Sequence, residues 1–122
     1  MKSETIIATA ASFGMLSVIF GAFGAHILKK KLSEEQLKNF ETGVKYQMYH
    51  AIVLLLLGVN YENISATSYW SFTMGIVLFS FSIYGLVLSS ASGKKLRFLG
   101  PITPLGGLLL IIGWATLLFN AL

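Results

Sequence analysis

Cysteine and aspartate are missing altogether from this 122-residue chain, and only 11% of its residues are charged. Without cysteine there is no disulfide framework, no thiolate metal site and no thiol nucleophile. A soluble domain carries about a quarter charged residues, so this chain has too few polar side chains to cover a surface facing water. Prolines number two, both in one short stretch near residue 100, so regular helix is free to run elsewhere. Phosphate-binding loops, zinc-protease helices and serine nucleophile elbows have no counterpart here, and no catalytic residue is assigned. The expected class is therefore not an enzyme.

Apolar residues fill the chain instead. They make up 55% of it, and the mean hydropathy is +0.74. Residues 6–28 hold no Lys, Arg, Asp or Glu, and at roughly 1.5 Å per residue such a run crosses a hydrocarbon core about 30 Å thick. It outruns the apolar core of a cleaved signal peptide, and Lys29, Lys30 and Lys31 follow it as a stop-transfer cluster would. Further spans are expected at about 44–61, 69–92 and 98–121. Four spans of about 20 residues use roughly 80 residues, which leaves only short loops. The fold expected is all-α: a four-helix transmembrane bundle forming a single membrane domain over 1–122.

A short amphipathic helix is expected at the interface before the second span, at about 33–43. Ser33 reads as its N-cap and Gln36 completes a capping box, with Glu34 and Glu35 at the positive end of the helix dipole. Leu37, Phe40 and Val44 recur at helical spacing while Lys38, Glu41 and Lys45 take other faces.

The net charge of +4 would suggest nucleic acid in a soluble protein, but eight of the nine basic residues sit in 29–45 and 94–97, between apolar runs. That distribution encodes membrane orientation, and no nucleic-acid partner is expected. The remaining basic residue, Lys2, lies on the other side of a four-span chain. The positive-inside rule then puts both termini outside and the loops 29–45 and 93–97 in the cytoplasm.

Three motifs stand in register along nearly the whole chain: Gly21-Ala22-Phe23-Gly24-Ala25-His26, Tyr46-Gln47-Met48-Tyr49-His50-Ala51 and Ile102-Thr103-Pro104-Leu105-Gly106-Gly107. In these the chain resembles the YgdD/YwdK-like family of small bacterial membrane proteins. The resemblance implies a multi-pass protein of the bacterial plasma membrane. It implies no activity and carries no catalytic residue over.

His26 and His50 are the candidate ligands, since ionisable groups in a membrane are costly and often functional. If adjacent antiparallel helices set the two imidazoles at one depth, they can bind a metal or haem or relay a proton. The plainer reading has each histidine hydrogen-bonded where it stands and fixing helix packing. No metal site is assigned, because such a site wants three or four ligands and Glu41 is the nearest third one. Tyr46, Gln47 and Tyr49 flank His50 within one turn, with Tyr46 and His50 sharing a face as hydrogen-bonding neighbours. Together they read either as a polar cluster for a lipid headgroup or as an aromatic belt at the interface.

Small residues step along the first span, with Ala10, Gly14, Ser17, Gly21, Gly24 and Ala25 forming one stripe; Gly75, Ser82, Gly85 and Ser89 follow on the third span and Gly106 and Gly113 on the fourth. In lipid such stripes let helix backbones approach. Pro101 and Pro104 read either as an ordinary helix start or as a break in the fourth span, like those that expose carbonyls in transporters. Two functions remain open. One is a non-enzymatic protein, without cofactor, that acts by packing with itself, a membrane-protein partner or membrane lipid. The other is a small carrier or cofactor-binding protein that uses His26 and His50.

Overall fold

The computed structural model describes residues 2–60 and 64–122. Tyr61, the expected end of the second span, and residues 62 and 63 of the loop after it lie outside the described residues, as does the side chain of Ala25. The described residues form helices and no strand. We number the four long ones α1, Ser3–Leu28; α2, Glu34–Val59; α3, Ala66–Ala91; and α4, Ile102–Ala121. A 3-10 turn, Arg97–Leu99, leads into α4. Three stretches, Ser3–Leu28, Ala66–Ala91 and Arg97–Ala121, are long and apolar enough to cross a membrane. The N-terminal half of α2 is more polar, because Glu34, Glu35, Lys38, Glu41 and Lys45 all fall in it.

Local signals set the helix ends. Ser33 Oγ accepts from Gln36 N–H at 3.1 Å while Ser33 N–H donates to Gln36 Oε1 at 2.9 Å, closing the capping box. Ser65 caps α3, its Oγ accepting from Ser68 N–H at 3.2 Å. At the other end of α3, Gly93 takes φ +86°, a left-handed value that glycine adopts without a Cβ clash, and the chain turns toward α4.

Successive helices run antiparallel. Gly58 packs on Ile6 and Ile7 of α1, and Gly24 lies near Phe40, so α1 and α2 face each other along most of their length. Pairs across the bundle place α2 and α3 at its centre. Thr9 and Tyr69 hydroxyls bond at 2.8 Å from α1 to α3, and Trp114 of α4 reaches His50 of α2. Ile6, Leu54, Phe72 and Ile76, all fully buried, form the middle of the core.

The stretch expected as an interfacial helix, 33–43, is the capped start of α2, which runs on unbroken into the expected second span, and no interfacial helix is set apart from it. Phe40, Gly43 and Gln47 continue one buried face down the helix, so the segment packs against the rest of the bundle. Nor is α4 broken. Pro101 is its N-cap and Pro104 falls in the first turn, where a missing N–H has no helical partner to lose.

Two helices carry a wider π turn, Ile19–Gly24 in α1 and Val77–Phe81 in α3. The second lies where α3 meets both its neighbours. Ser80 Oγ–H donates to the Gly43 carbonyl of α2 at 2.6 Å. On the opposite side Gly106 of α4 rests against the backbone of Leu78 and Phe79, leaving no room for a Cβ.

Candidate functional site

The polar residues expected to cluster around His50 divide between two sides of α2. Gln47 points inward, fully buried. Its amide donates to the Phe13 carbonyl of α1 at 2.8 Å, and its Oε1 accepts from the Tyr84 hydroxyl of α3 at 2.7 Å. One side chain thus ties three helices. Ser17 Oγ–H reaches the same Phe13 carbonyl at 2.9 Å.

Tyr46, Tyr49 and His50 face the other way, toward α4. His50 Nδ1 lies 2.6 Å from the Tyr46 carbonyl, and the Trp114 indole N–H donates to Nε2 at 3.1 Å. A carbonyl only accepts and an indole N–H only donates, so the geometry requires the neutral imidazole with its proton on Nδ1. Both ring nitrogens are then engaged. The expected bond between the Tyr46 hydroxyl and His50 does not form; the two rings stack with centroids 6.1 Å apart. Phe72 and Trp114 complete the aromatic surround, at 5.8 and 6.0 Å from the imidazole.

His26 is not part of this group. Gln47 meets Phe13, and Phe40 meets Gly24, so His26 lies level with the start of α2. His50 stands beyond Gln47 in the opposite direction. The two imidazoles are separated by roughly 20 Å along the bundle, at about 1.5 Å per residue. His26 is exposed. Among the described residues, no three His, Cys, Asp or Glu side chains converge where they would hold a metal ion.

Between α2 and α4 a lateral groove of about 770 Å³ opens on the side of the bundle. Tyr46, Tyr49, His50 and Trp114 form one wall and end, with Leu108 and Ile111 along the other. Tyr49 and Trp114 are about half exposed, at 54% and 49%. Toward the lysine-rich end a second pocket of about 330 Å³ shares Pro104 with the first. Asn39 and Thr42 of α2 and Thr103 of α4 line it, and α3 closes its back. Thr103 is held from behind by the Ser82 hydroxyl at 2.6 Å.

The glycines sort differently from the stripes read along the chain. Gly106, Gly113 and Gly75 are the close contacts between α3 and α4, a Cβ on Gly113 meeting the Phe72 ring at 2.7 Å and one on Gly75 meeting Leu110 at 2.6 Å. Gly85 abuts Leu99, Gly21 sits close against Val44 at 3.2 Å, Gly24 meets Phe40 only at van der Waals range, and a Cβ on Gly14 meets nothing within 4 Å. Gly43 and Gly58 of α2 are also tightly packed, a Cβ on either meeting a neighbouring side chain at 2.8 Å, and no local small-residue motif marked them. Trp114, Tyr84 and Ser80 were likewise not singled out. Trp114 is the one with a readable signal, a polar-tipped aromatic deep in an otherwise aliphatic span.

Comparison with known proteins gives the chain its relatives. The profile of the family described as "Protein of unknown function (DUF423)" matches residues 20–107. The UPF0382 membrane protein SH2409 of Staphylococcus haemolyticus is 43% identical over 109 residues, covering 87% of this chain and 85% of the relative. The UPF0382 inner membrane protein YgdD of Escherichia coli (strain K12) is 38% identical over 126 residues, covering 100% of this chain and 92% of the relative. No solved structure matches. With a profile match over most of its length and relatives of this identity across the whole of it, the chain belongs to the DUF423 family of membrane proteins.

Proposed function

We propose that this chain is a four-span protein of the bacterial plasma membrane that catalyses no reaction and acts through its lateral surface, by contact with lipid, a second copy or another membrane protein. α2 serves as the fourth span, with Lys45 extending its amine back to the interface. Both termini stand outside and the loops 29–45 and 93–97 face the cytoplasm, on the strength of eight basic residues at one end against one at the other.

The observation that carries this reading is how the interior polar groups are engaged. Gln47, Ser80 and His50 each bond to a group on another helix, so they hold the bundle together and present no free reactive atom to a cavity. Interhelical bonds of this kind are worth about 0.6 kcal/mol each in a membrane, up to roughly 1.7. The open space lies instead on the flank, between α2 and α4. The carrier reading needed His26 and His50 side by side, and nothing in their placement favours it.

The test is the absorbance spectrum and metal content of the purified protein. A colourless, metal-free protein is expected. A Soret band, or stoichiometric zinc, copper or iron that His50→Ala removes, overturns the proposal.

A further inference from the structure

Resting on that lateral reading, we propose that the groove between α2 and α4 is a binding site for one anionic glycerophospholipid from the leaflet on the lysine-rich side. Three features of the structure converge on that occupant.

The first is amphiphilic order. The two pockets share Pro104 and form a lane whose mouth, backed by Ile83, Leu86 and Val87 of α3, is its more polar end. Asn39, Thr42 and Thr103 stand at the mouth, and Leu108 and Ile111 line the bed. Tyr46 and Tyr49 fall between them on α2. A headgroup and glycerol with an acyl chain below have the same order.

The second is length. Along α2 the lane runs from Asn39 to His50, roughly 16 Å at about 1.5 Å per residue. With Lys45 at the interface, Asn39 and Thr42 stand at headgroup level and the stretch from Tyr46 to His50 lies in hydrocarbon, so the lane runs from the headgroup region into one leaflet, whose half-thickness is roughly 15 Å. Its far end is closed by the His50–Trp114 pair, whose polar atoms are already satisfied by each other and by the Tyr46 carbonyl and ask nothing of a lipid tail.

The third is charge. Lys94, Lys95 and Arg97 lie in the turn that delivers Gly100 and Thr103 to the mouth, and Lys38 adjoins Asn39 on α2. The first turn of α4 lines the same mouth with no side chain capping it, so the positive end of its dipole adds to the field there. Cations at this depth attract anionic headgroups by about 1 kcal/mol each. A zwitterionic headgroup gains little from them.

Trp114 makes the site measurable, because it lines the bed. With Trp70 replaced by Phe it is the only tryptophan, and phospholipids brominated on their acyl chains quench it on contact. The experiment reconstitutes the Trp70→Phe protein in phosphatidylcholine vesicles containing either dibrominated phosphatidylglycerol or dibrominated phosphatidylcholine. Half-quenching by the phosphatidylglycerol is expected at a severalfold lower mole fraction.

That preference should vanish when Lys94, Lys95 and Arg97 are all replaced by Gln, leaving the quenching by phosphatidylcholine unchanged. Gly107→Leu, which fills the bed, should lower quenching by both lipids. A Cβ at Gly107 lies 3.6 Å from the Phe79 ring, ordinary contact, and an unchanged size-exclusion profile in detergent checks that the variant stays packed. Equal quenching by the two lipids means ordinary surrounding lipid and overturns the proposal. Quenching that stays weak until the protein is diluted in lipid means that a second copy covers the groove, and also overturns it. Either result leaves a colourless, metal-free protein acting through its flank, so the lateral reading is judged separately.

Discussion

The Tyr84 hydroxyl donates to Gln47 Oε1 across 2.7 Å in the buried middle of the bundle, and the same Gln47 gives its amide proton to the Phe13 carbonyl at 2.8 Å. Helices α1, α2 and α3 are joined through one amide. Tyr84→Phe removes one bond and keeps the ring packed edge-on to Phe20 and tilted against Phe40, with centroids 5.2 and 5.1 Å away. It should cost about 1 kcal/mol. Gln47→Leu removes both bonds and strands the tyrosine hydroxyl, and should cost roughly 2 kcal/mol. A double-mutant cycle read by reversible unfolding in mild detergent should show coupling between the two. Strict additivity would mean that the hydroxyl and the amide do not interact.

How far the sequence reveals this arrangement depends on the range of the interaction. The capping box at Ser33 and Gln36 is three residues wide, and the apolar runs are contiguous, so that helix start and three long apolar helices are readable. Which residues meet across helices was not. His26 and His50 seemed to share a depth because each sits near the basic end of its span. Register, however, is fixed by where Gly58 meets Ile6 and Gly24 meets Phe40, and the π turns shift it further. A small-residue stripe tells only that a face can be approached closely. It does not say whether a helix of the same chain comes to it, which is why Gly14 and Gly106 read alike and pack so differently.

That difference is itself testable. A Cβ at Gly106 runs into the backbone of Leu78 and Phe79, which cannot rotate aside as a side chain can. Gly106→Leu should cost about 3 kcal/mol or more, the upper end of overpacking, and the protein should aggregate on size-exclusion chromatography in detergent. A Cβ at Gly14 meets nothing within 4 Å, so Gly14→Leu has room to turn outward and should run as the parent does. A well-behaved Gly106→Leu protein would mean that α3 and α4 are not in close contact there.

The two histidines should behave unequally. His50→Ala breaks the bond to Trp114 and opens a hole beside Phe72. A loss of roughly 2 kcal/mol is expected, as for other large-to-small changes in a packed interior. His26→Ala, at an exposed position, should stay within about 0.5 kcal/mol of the parent. Melting temperatures in one detergent compare them directly. Equal losses would place His26 in a contact that this structure does not contain.

Sidedness can be read with unusual clarity, because the chain carries no cysteine of its own. Single cysteines introduced as Lys30→Cys and Lys95→Cys sit in the two basic loops, and one introduced as Leu122→Cys sits at the opposite end of the bundle. If α2 crosses the membrane, α1 and α2 form one hairpin and α3 and α4 another, both with basic turns on the same side. A maleimide that cannot enter intact cells should then label position 122 and spare 30 and 95 until the membrane is opened. Were α2 to stay on one side, three spans would remain and the two basic loops would part company, one of them labelled from outside. The pattern at 30 and 95 therefore distinguishes four crossings from three. The packing of α2 between α1 and α3 along its length predicts that the two sites behave alike.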